Sequence, residues 1–199
     1  MKVYLNPGHD LDYDSGAVNP TTGLRECDVA AEVGALVADY LEAAGCECRI
    51  LQSDNLAGES EYFDRQGKSV CGDANNWEAD VFVSIHCNAA NCEAHGTEVE
   101  CYDADRSNNG AQLAQCIQSQ IVDALGTTDR GIKSRPGLLV LRQTDMPAVL
   151  VEMAFIDNDE DAALLTEKTD EFARAIARGV TDYICSIDVS NKEGGDQNE

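Results

Sequence analysis

The amino-acid sequence predicts a single α/β domain in which a buried sheet lies between helices on both faces. Three apolar runs lack polar alternation, which is typical of strands covered on both faces. Each run leads to a residue that can bind or assist a metal ion: Val3-Tyr4-Leu5 leads to His9, Val81-Phe82-Val83-Ser84-Ile85 to His86, and Ala148-Val149-Leu150-Val151 to Glu152. Because ligands in open α/β sheets lie beyond the carboxyl ends of the strands, we expect these three residues on one edge of the sheet.

The first strand leads into a loop, Asn6 to Gly23, that is rich in Gly, Pro, Asn and Asp. A helix is predicted from Glu26 to Ala44, with Gly45 as its stop. At about 100° per residue, Glu26 lies within about 20° of Val33 on the apolar stripe of this helix. A carboxylate at the start of the stripe that faces the sheet must have a partner there.

Shorter patterns predict the remaining elements. The predicted strands are Glu47–Leu51, a third strand ending at His86, Thr97–Tyr102 as an edge strand, Leu138–Leu141 and Ala148–Glu152. The predicted helices are Tyr62–Asn76, Gly110–Leu125 and a final one marked by Phe172, Ile176, Val180 and Ile184. The segment Thr127–Gly137 is predicted to be a loop. Residues 1–187 are therefore predicted to form one catalytic domain. Residues 188–199 are polar and contain Gly194-Gly195, which predicts a tail or the stub of a linker.

Composition excludes several classes of function. The 199 residues include 37 acidic and 14 basic side chains, a formal net charge of -23, so nucleic acid and anionic membrane surfaces are repelled. The acidity indicates either a solvated surface or adaptation to salt or a cationic partner. No segment approaches the roughly 20 apolar residues needed to cross a bilayer, so membrane insertion is not expected.

Nine cysteines raise the question of disulfide bonds. The start of the chain, Met1-Lys2-Val3-Tyr4-Leu5, enters a strand directly and lacks the apolar stretch of a signal peptide. We therefore predict synthesis in the cytoplasm and mostly reduced thiols. An odd number of cysteines also argues against complete internal pairing.

His9, Glu26 and His86 form a candidate zinc site. Catalytic zinc takes three protein ligands and leaves one position open, and a His, Glu, His set satisfies that number. The three residues are far apart in the sequence, so their spacing alone is weak evidence. Their positions are stronger evidence, because two follow strands and the third opens a helix at the same sheet edge. The alternative for His86 is a hydrogen-bonded core histidine.

Glu152 ends a buried strand, where an uncompensated carboxylate would cost several kcal/mol. We expect it to face the metal site. In a zinc hydrolase, a second carboxylate takes a proton from the attacking water and returns it to the departing amine. The alternative is a structural ion pair with a buried arginine such as Arg130 or Arg142.

Several motifs together resemble the zinc-dependent N-acetylmuramoyl-L-alanine amidases, the type found in cell-wall hydrolases and phage endolysins. The specific segments are Ser84-Ile85-His86-Cys87-Asn88-Ala89 and Pro147 to Asn158, accompanied by Asn6-Pro7-Gly8-His9, Gly23-Leu24-Arg25-Glu26 and Asp129-Arg130-Gly131-Ile132-Lys133. The resemblance covers residues 2–185. It implies a twisted, mostly parallel six-stranded sheet, one zinc ion held by His9, Glu26 and His86, and Glu152 as the catalytic carboxylate.

The reaction implied is cleavage of the amide between N-acetylmuramic acid and the L-alanine of the stem peptide, with peptidoglycan as substrate and a monomer favoured. Without an export signal, the enzyme is expected to reach the wall after release, by phage-type lysis or lysis of the cell. The alternatives are another zinc peptidase acting on the stem peptide and an inactive wall-binding module of the same fold. Two departures from the family pattern are Asp10, where glycine is usual, and Leu51-Gln52 at the end of strand two.

Other residues are candidates for supporting roles. Asp14 is expected to orient His9 through its free ring nitrogen, or to form an Asx turn. Arg130 and Asn88 are candidate substrate-binding residues, with bracing of its loop as the alternative role for Arg130. A structural zinc site formed by cysteines near His95 is disfavoured, because the chain contains no C-x-x-C pair.

Overall fold

The computed structural model describes residues 1–57, 68–105 and 107–195, with side chains through residue 187. The described part of the chain forms six strands and six helices. The strands are β1 (Lys2–Pro7), β2 (Glu47–Ile50), β3 (Val81–Asn88), β4 (Thr97–Cys101), β5 (Asp129–Ser134) and β6 (Ala148–Phe155). The helices are α1 (Glu26–Ala43), α2 (Val70–Asn76), α3 (Asn109–Leu125), α4 (Leu139–Arg142), α5 (Asp159–Glu167) and α6 (Thr169–Gly195).

The six strands form one sheet in the order β2-β1-β3-β6-β4-β5. The first four in this order are mutually parallel, while β4 runs antiparallel to β6 and parallel to β5. The carboxyl ends of β1, β3 and β6 therefore meet the amino ends of β4 and β5 at one edge, which we call the rim. The prediction of a mostly parallel six-stranded α/β fold is confirmed.

The two faces of the sheet are covered unequally. Helices α1, α3 and α6 pack on one face and enclose the main core, which includes Leu5, Ile85 and Val151. Among the described residues, the other face carries α2 and the single turn of α4, packed around Phe82 and Leu150. On this second face the side chains at the carboxyl ends of β3 and β6 remain partly exposed, so the rim is accessible to a ligand.

The prediction for residues 127 to 141 was wrong. The apolar run Leu138–Leu141 is not a strand but largely the short helix α4, whose Val140 and Leu141 are buried in the second core. The strand lies earlier, at β5, in a segment predicted to be a loop. A short apolar run does not distinguish a strand from a buried helical turn, and β5 is polar because it lies at the sheet edge.

Four other elements also differ from their predictions. Strand β4 is not an edge strand, because β5 covers it, and all five of its residues are buried. Helix α5 was not predicted, and α6 continues to Gly195, through most of the segment predicted to be a tail. Helix α2 begins at Val70 rather than Tyr62, although residues 62–67 of that prediction lie outside the described residues.

The structure also bears on the cysteines and on membrane insertion. All nine cysteines lie within the described residues, and each is an unpaired thiol. Of the helices described, none combines the length and the apolar character that crossing a membrane requires.

Candidate active site

Two imidazoles and one carboxylate meet at the rim. Glu26 Oε2 lies 3.1 Å from His9 Nε2, and Glu26 Oε1 lies 3.0 Å from His86 Nδ1. One ligand-type atom from each of the three residues lies within 4.8 Å of the other two. The structure thus brings together the three residues that the sequence nominated as metal ligands.

The backbone places each of these side chains in a specific way. His9 follows β1 in the left-handed region, with φ of 65°, which is uncommon for a residue with a side chain and often marks a functional site. Glu26 is the first residue of α1 and is 4% exposed. Its carboxylate also accepts hydrogen bonds from the backbone N–H groups of Ala17 (2.9 Å) and Cys87 (3.0 Å), which ties the first loop and β3 to the same group.

Two glycines leave the space that these side chains occupy. A Cβ at Gly16, where φ is +63°, would lie 2.5 Å from His9 Cδ2 and 2.6 Å from Glu26 Oε2. A Cβ at Gly8 would lie 2.3 Å from His86 Cε1. Both separations are far below van der Waals contact, so the site requires glycine at both positions.

Each histidine directs one ring nitrogen toward Glu26, and its other ring nitrogen contacts a second polar side chain. His9 Nδ1 lies 2.8 Å from Asp14 Oδ2, the contact expected of an orienting carboxylate, and Asp14 Oδ1 accepts from the Gly16 backbone N–H at 3.0 Å, so the alternative Asx turn is present as well. His86 Nε2 lies 3.1 Å from Ser84 Oγ, which donates to Asn6 Oδ1 at 3.0 Å. Because the hydroxyl donates to Asn6, it accepts from His86 Nε2, and this network leaves Nδ1 as the nitrogen that faces Glu26 and that a metal ion would bind.

Glu152 lies beside this group on the next strand. It is the register partner of His86 across β3 and β6, and its Oε2 is buried without a hydrogen-bond partner. Burial raises the pKa of Glu152 well above its usual 4.5, and the charge of Glu26 adds to this. The alternative of an ion pair with Arg130 is not supported, because that guanidinium bonds Glu98 instead.

The charges around the site perturb its titratable groups. Burial alone would raise the pKa of Glu26, but hydrogen bonds from His86 and His9 outweigh it and hold that pKa well below 4.5. The hydrogen bond to Glu26 raises the pKa of His9 to about 9, even though burial acts in the opposite direction. Burial raises the pKa of Asp54 to about 6, helped by the charge of Asp14. Four carboxylates near two imidazoles make this a site for a cation.

The donor set fits zinc. Two imidazole nitrogens and one carboxylate oxygen are the ligand types of catalytic zinc sites, and the unpartnered oxygen of Glu152 lies on the neighbouring strand. Among the described residues, a second group of metal-compatible atoms is formed by His9, Asp14 and Asp54, where His9 Nδ1 is already occupied by Asp14. Neither group includes a cysteine, so the cysteine site near His95 finds no support in the described structure.

Arg130 and Asn88 converge on one buried carboxylate. Arg130 Nε donates to Glu98 Oε2 at 2.9 Å, and Asn88 Nδ2 donates to Glu98 Oε1 at 3.1 Å. The guanidinium also lies 4.7 Å from the centre of the Phe155 ring. Since Glu98 is the register partner of Glu152 across β4 and β6, both candidate substrate-binding residues lie next to the proposed catalytic carboxylate.

Sequence reasoning missed four residues of the site: Ser84, Asn6, Glu98 and Asp54. Ser84 carried a signal, because it lies two residues before His86 in a strand and therefore on the same face. Glu98 also carried one, since it alternates with the apolar residues of β4. Asp54 lies in an irregular loop after β2, where no local pattern points to the site.

The departure at the end of β2 has a structural role. Gln52 Nε2 donates to the backbone carbonyls of Gly8 (3.0 Å) and Cys27 (2.9 Å). It therefore connects the turn that carries His9 to the first turn of α1, which carries Glu26. A side-chain amide holds these two backbone segments together at a position where the family usually has other residues.

The sequence matches a known protein family and is similar to several of its members. The family profile described as N-acetylmuramoyl-L-alanine amidase matches residues 3–182. The chain is 33% identical over 184 residues to N-acetylmuramoyl-L-alanine amidase LytC of Bacillus subtilis (strain 168), covering 91% of this chain and 35% of LytC. It is 35% identical over 205 residues to the endolysin of Bacillus phage SPP1, covering 97% of this chain and 68% of the endolysin.

A solved structure is similar over nearly the whole domain. N-acetylmuramoyl-L-alanine amidase AmiC2 of Nostoc punctiforme superposes with a TM-score of 0.77 at 32% identity, covering 92% of this chain and 97% of that chain. The chain spans about a third of LytC but nearly all of the AmiC2 structure. The similarity therefore corresponds to one complete domain of the fold described above.

Proposed function

This chain belongs to the N-acetylmuramoyl-L-alanine amidase family, and on that premise we propose that it hydrolyses the amide between N-acetylmuramic acid and the L-alanine of peptidoglycan. His9, Glu26 and His86 hold one zinc ion, and Glu152 transfers the protons. The observation that carries this proposal is the meeting of the three ligand-type atoms within 4.8 Å at the rim.

The chain's own residues prepare the site before any ligand arrives. Asp14 and Ser84 hold the outer nitrogens of His9 and His86, so both rings are oriented with the inner nitrogen toward Glu26. A zinc ion bound there supplies a Lewis acid that acidifies water and polarises the substrate carbonyl. Rigid placement of the groups lowers the entropic cost of bringing the reacting atoms together.

Glu152 has the properties of a proton-transfer group. Its Oε2 is free of protein hydrogen bonds, so it can accept a proton from the attacking water and return it to the departing amine of L-alanine. Burial and the charge of Glu26 raise the pKa of Glu152 well above its usual 4.5, which makes its carboxylate a stronger base than a solvent-exposed one. Arg130 and Asn88 are proposed to contact substrate beside it.

Metal analysis together with product analysis tests this proposal. Purified protein should contain about one zinc ion per chain, and chelation should remove the metal and the activity together. Digested peptidoglycan should show new L-alanine amino termini with intact stem peptides by mass spectrometry. Release of D-alanine would instead indicate a carboxypeptidase, and zinc-loaded protein that binds walls without any product would indicate a binding module.

We also propose that the enzyme acts on the cell wall after release, because peptidoglycan lies outside the cytoplasm. Similarity to a phage endolysin supports this role. A monomer suffices, since His9, Glu26, His86 and Glu152 all come from one chain. Clearing of a suspension of isolated walls by protein that elutes as a monomer in size-exclusion chromatography would agree with both statements.

A further inference from the structure

The two sides of the proposed zinc site differ in charge and in polarity. On the β1 side, the segment Asp10–Asp14 follows His9 directly and carries three aspartates within five residues. On the opposite side, β5 and the residue after it carry Arg130, Lys133 and Arg135, three of the 14 basic residues of a strongly acidic chain. The substrate proposed above also has two unlike parts, a glycan and a peptide.

The segment Asp10–Asp14 is a rigid turn with exposed apolar side chains. Asp10 Oδ1 accepts hydrogen bonds from the backbone N–H groups of Asp12 (2.9 Å) and Tyr13 (3.2 Å), and the backbones of Asp10 and Asp14 bond each other. Leu11 and Tyr13 are nevertheless 47% and 55% exposed. A stiff turn that presents an aromatic ring beside a ligand residue is suited to cover the apolar face of a sugar ring.

Two arginines of the cationic side are held by buried carboxylates of β4. Glu98 and Glu100 are 4% and 5% exposed and lie on the same face of β4, and Glu98 is the register partner of Glu152. Arg130 Nε bonds the first at 2.9 Å, and Arg135 Nε bonds the second at 2.7 Å. Arg130 Nη1 also donates to the backbone carbonyl of His95 at 3.4 Å, so the described contacts hold Arg130 by two nitrogens and Arg135 by one. The other N–H groups of both guanidinium groups can face a ligand.

Lys133 adds a further cation to the same surface. It is the register partner of Glu100 across β4 and β5, so its side chain lies on the same face of the sheet. The three cations therefore extend along the sheet from the level of Glu152 toward the opposite edge. A stem peptide carries at least its terminal carboxylate, whereas an N-acetylated glycan is uncharged and would gain nothing from these cations.

We propose that the substrate crosses the site in one direction, with its stem peptide over β4 and β5 toward Lys133 and its glycan against Tyr13 in the turn Asp10–Asp14. This orientation rests on the proposed amidase function. Glu98 and Glu100 neutralise Arg130 and Arg135, so Lys133 is the positive charge that remains on this surface to attract the anionic peptide. The turn after His9 is acidic and disfavours the peptide there, so both sides favour the same orientation.

Two pairs of substrates test the peptide side and the glycan side of the site independently. The first pair is a muramoyl tripeptide with a free terminal carboxylate and the same compound as its terminal amide. The second pair is that tripeptide on a single muramoyl residue and on a glycan strand of several disaccharides. For each enzyme variant, the ratio of kcat/KM within each pair is measured on the zinc-loaded protein, so effects common to both substrates cancel.

Lys133→Gln should lower the carboxylate-to-amide ratio about fivefold, the size expected for one partly exposed ion pair. Tyr13→Ala should lower the strand-to-single ratio about fivefold, and Tyr13→Phe should restore it. Tyr102→Ala is the matched control for the turn, because Tyr102 is 49% exposed and follows the end of β4 far from the rim. Arg178→Gln, at an exposed position of α6, is the control for charge.

The outcomes are distinct. The orientation is supported if Lys133→Gln lowers the carboxylate-to-amide ratio, Tyr13→Ala lowers the strand-to-single ratio, and neither control variant changes either ratio. Both ratios unchanged, only one changed, or the two effects exchanged would overturn it while the amidase function stands. A wild-type enzyme that releases no L-alanine amino termini from any of these substrates would overturn the proposed function itself, and the orientation with it.

Discussion

Replacing Gly16 by alanine should damage the proposed zinc site far more than it damages the fold. A Cβ there would lie 2.5 Å from His9 Cδ2 and 2.6 Å from Glu26 Oε2. Ordinary contacts of this kind begin near 3.5 Å, so either both side chains or the backbone at Gly16 must move by about 1 Å. A displacement of that size in a site of this kind lowers activity about 100-fold, and we expect zinc affinity to fall about 10- to 100-fold.

The same substitution also strains the backbone, because Gly16 has φ of +63°. Alanine in the left-handed region costs about 1–2 kcal/mol, and overpacking adds about 1–3 kcal/mol. Gly23 is a matched control in the same loop: its φ is +75°, but a Cβ there meets nothing within 4 Å. Gly23→Ala should therefore lose about 1–2 kcal/mol of stability and keep its zinc affinity.

Competition with a chelating dye measures the zinc affinity of both variants, and urea unfolding measures their stability. The reasoning requires the two variants to share the backbone cost and to differ in metal binding. If Gly16→Ala binds zinc as tightly as Gly23→Ala, His9 and Glu26 do not form the site in the arrangement described here.

Three further predictions concern individual groups. Glu152→Gln should keep the fold and the zinc content but lower kcat about 100- to 10,000-fold, and a variant that still cleaves muropeptides normally would remove Glu152 from the mechanism. Ser84→Ala should weaken zinc binding about 10- to 100-fold through the loss of the contact with His86 Nε2; unchanged affinity in a metal titration would contradict this. In chelated protein, the pKa of His9 is raised from 6.5 to about 9, so protonated His9 contributes up to about 3 kcal/mol to the free energy of unfolding. This contribution is complete below pH 6.5 and disappears as the pH rises to 9. Urea unfolding across that range should show the decline in stability, and a flat profile would refute it.

Much of the fold was predictable because long apolar runs leave few alternatives. Val81–Ile85 and Ala148–Val151 contain no polar alternation, so only strands buried on both faces satisfy them. The position of Glu26 on an apolar stripe likewise required a buried partner, and the structure supplies two imidazoles. These predictions depended on local patterns that persist whatever the tertiary context.

The errors arose where tertiary packing decides between local alternatives. Leu138–Leu141 is apolar because α4 packs its side chains against the second face of the sheet, not because it is a strand. Strand β5 is polar because it is an edge strand, and its arginines neutralise the buried Glu98 and Glu100 of β4. The alternating pattern of β4 resembles that of a solvent-facing edge strand, but β4 is an interior strand whose carboxylates Glu98 and Glu100 form ion pairs.

The sequence alone determined which side chains are available at the rim, although β3 and β6 continue to Asn88 and Phe155, beyond the predicted ends at His86 and Glu152. Tertiary structure decided how they meet: His9 adopts a left-handed backbone, glycines clear space for the rings, and Ser84 and Asp14 select which nitrogen of each ring faces Glu26. Local patterns are set by the backbone periodicity of one element. Distances between elements depend on how the whole chain packs, and no short stretch of sequence contains that information.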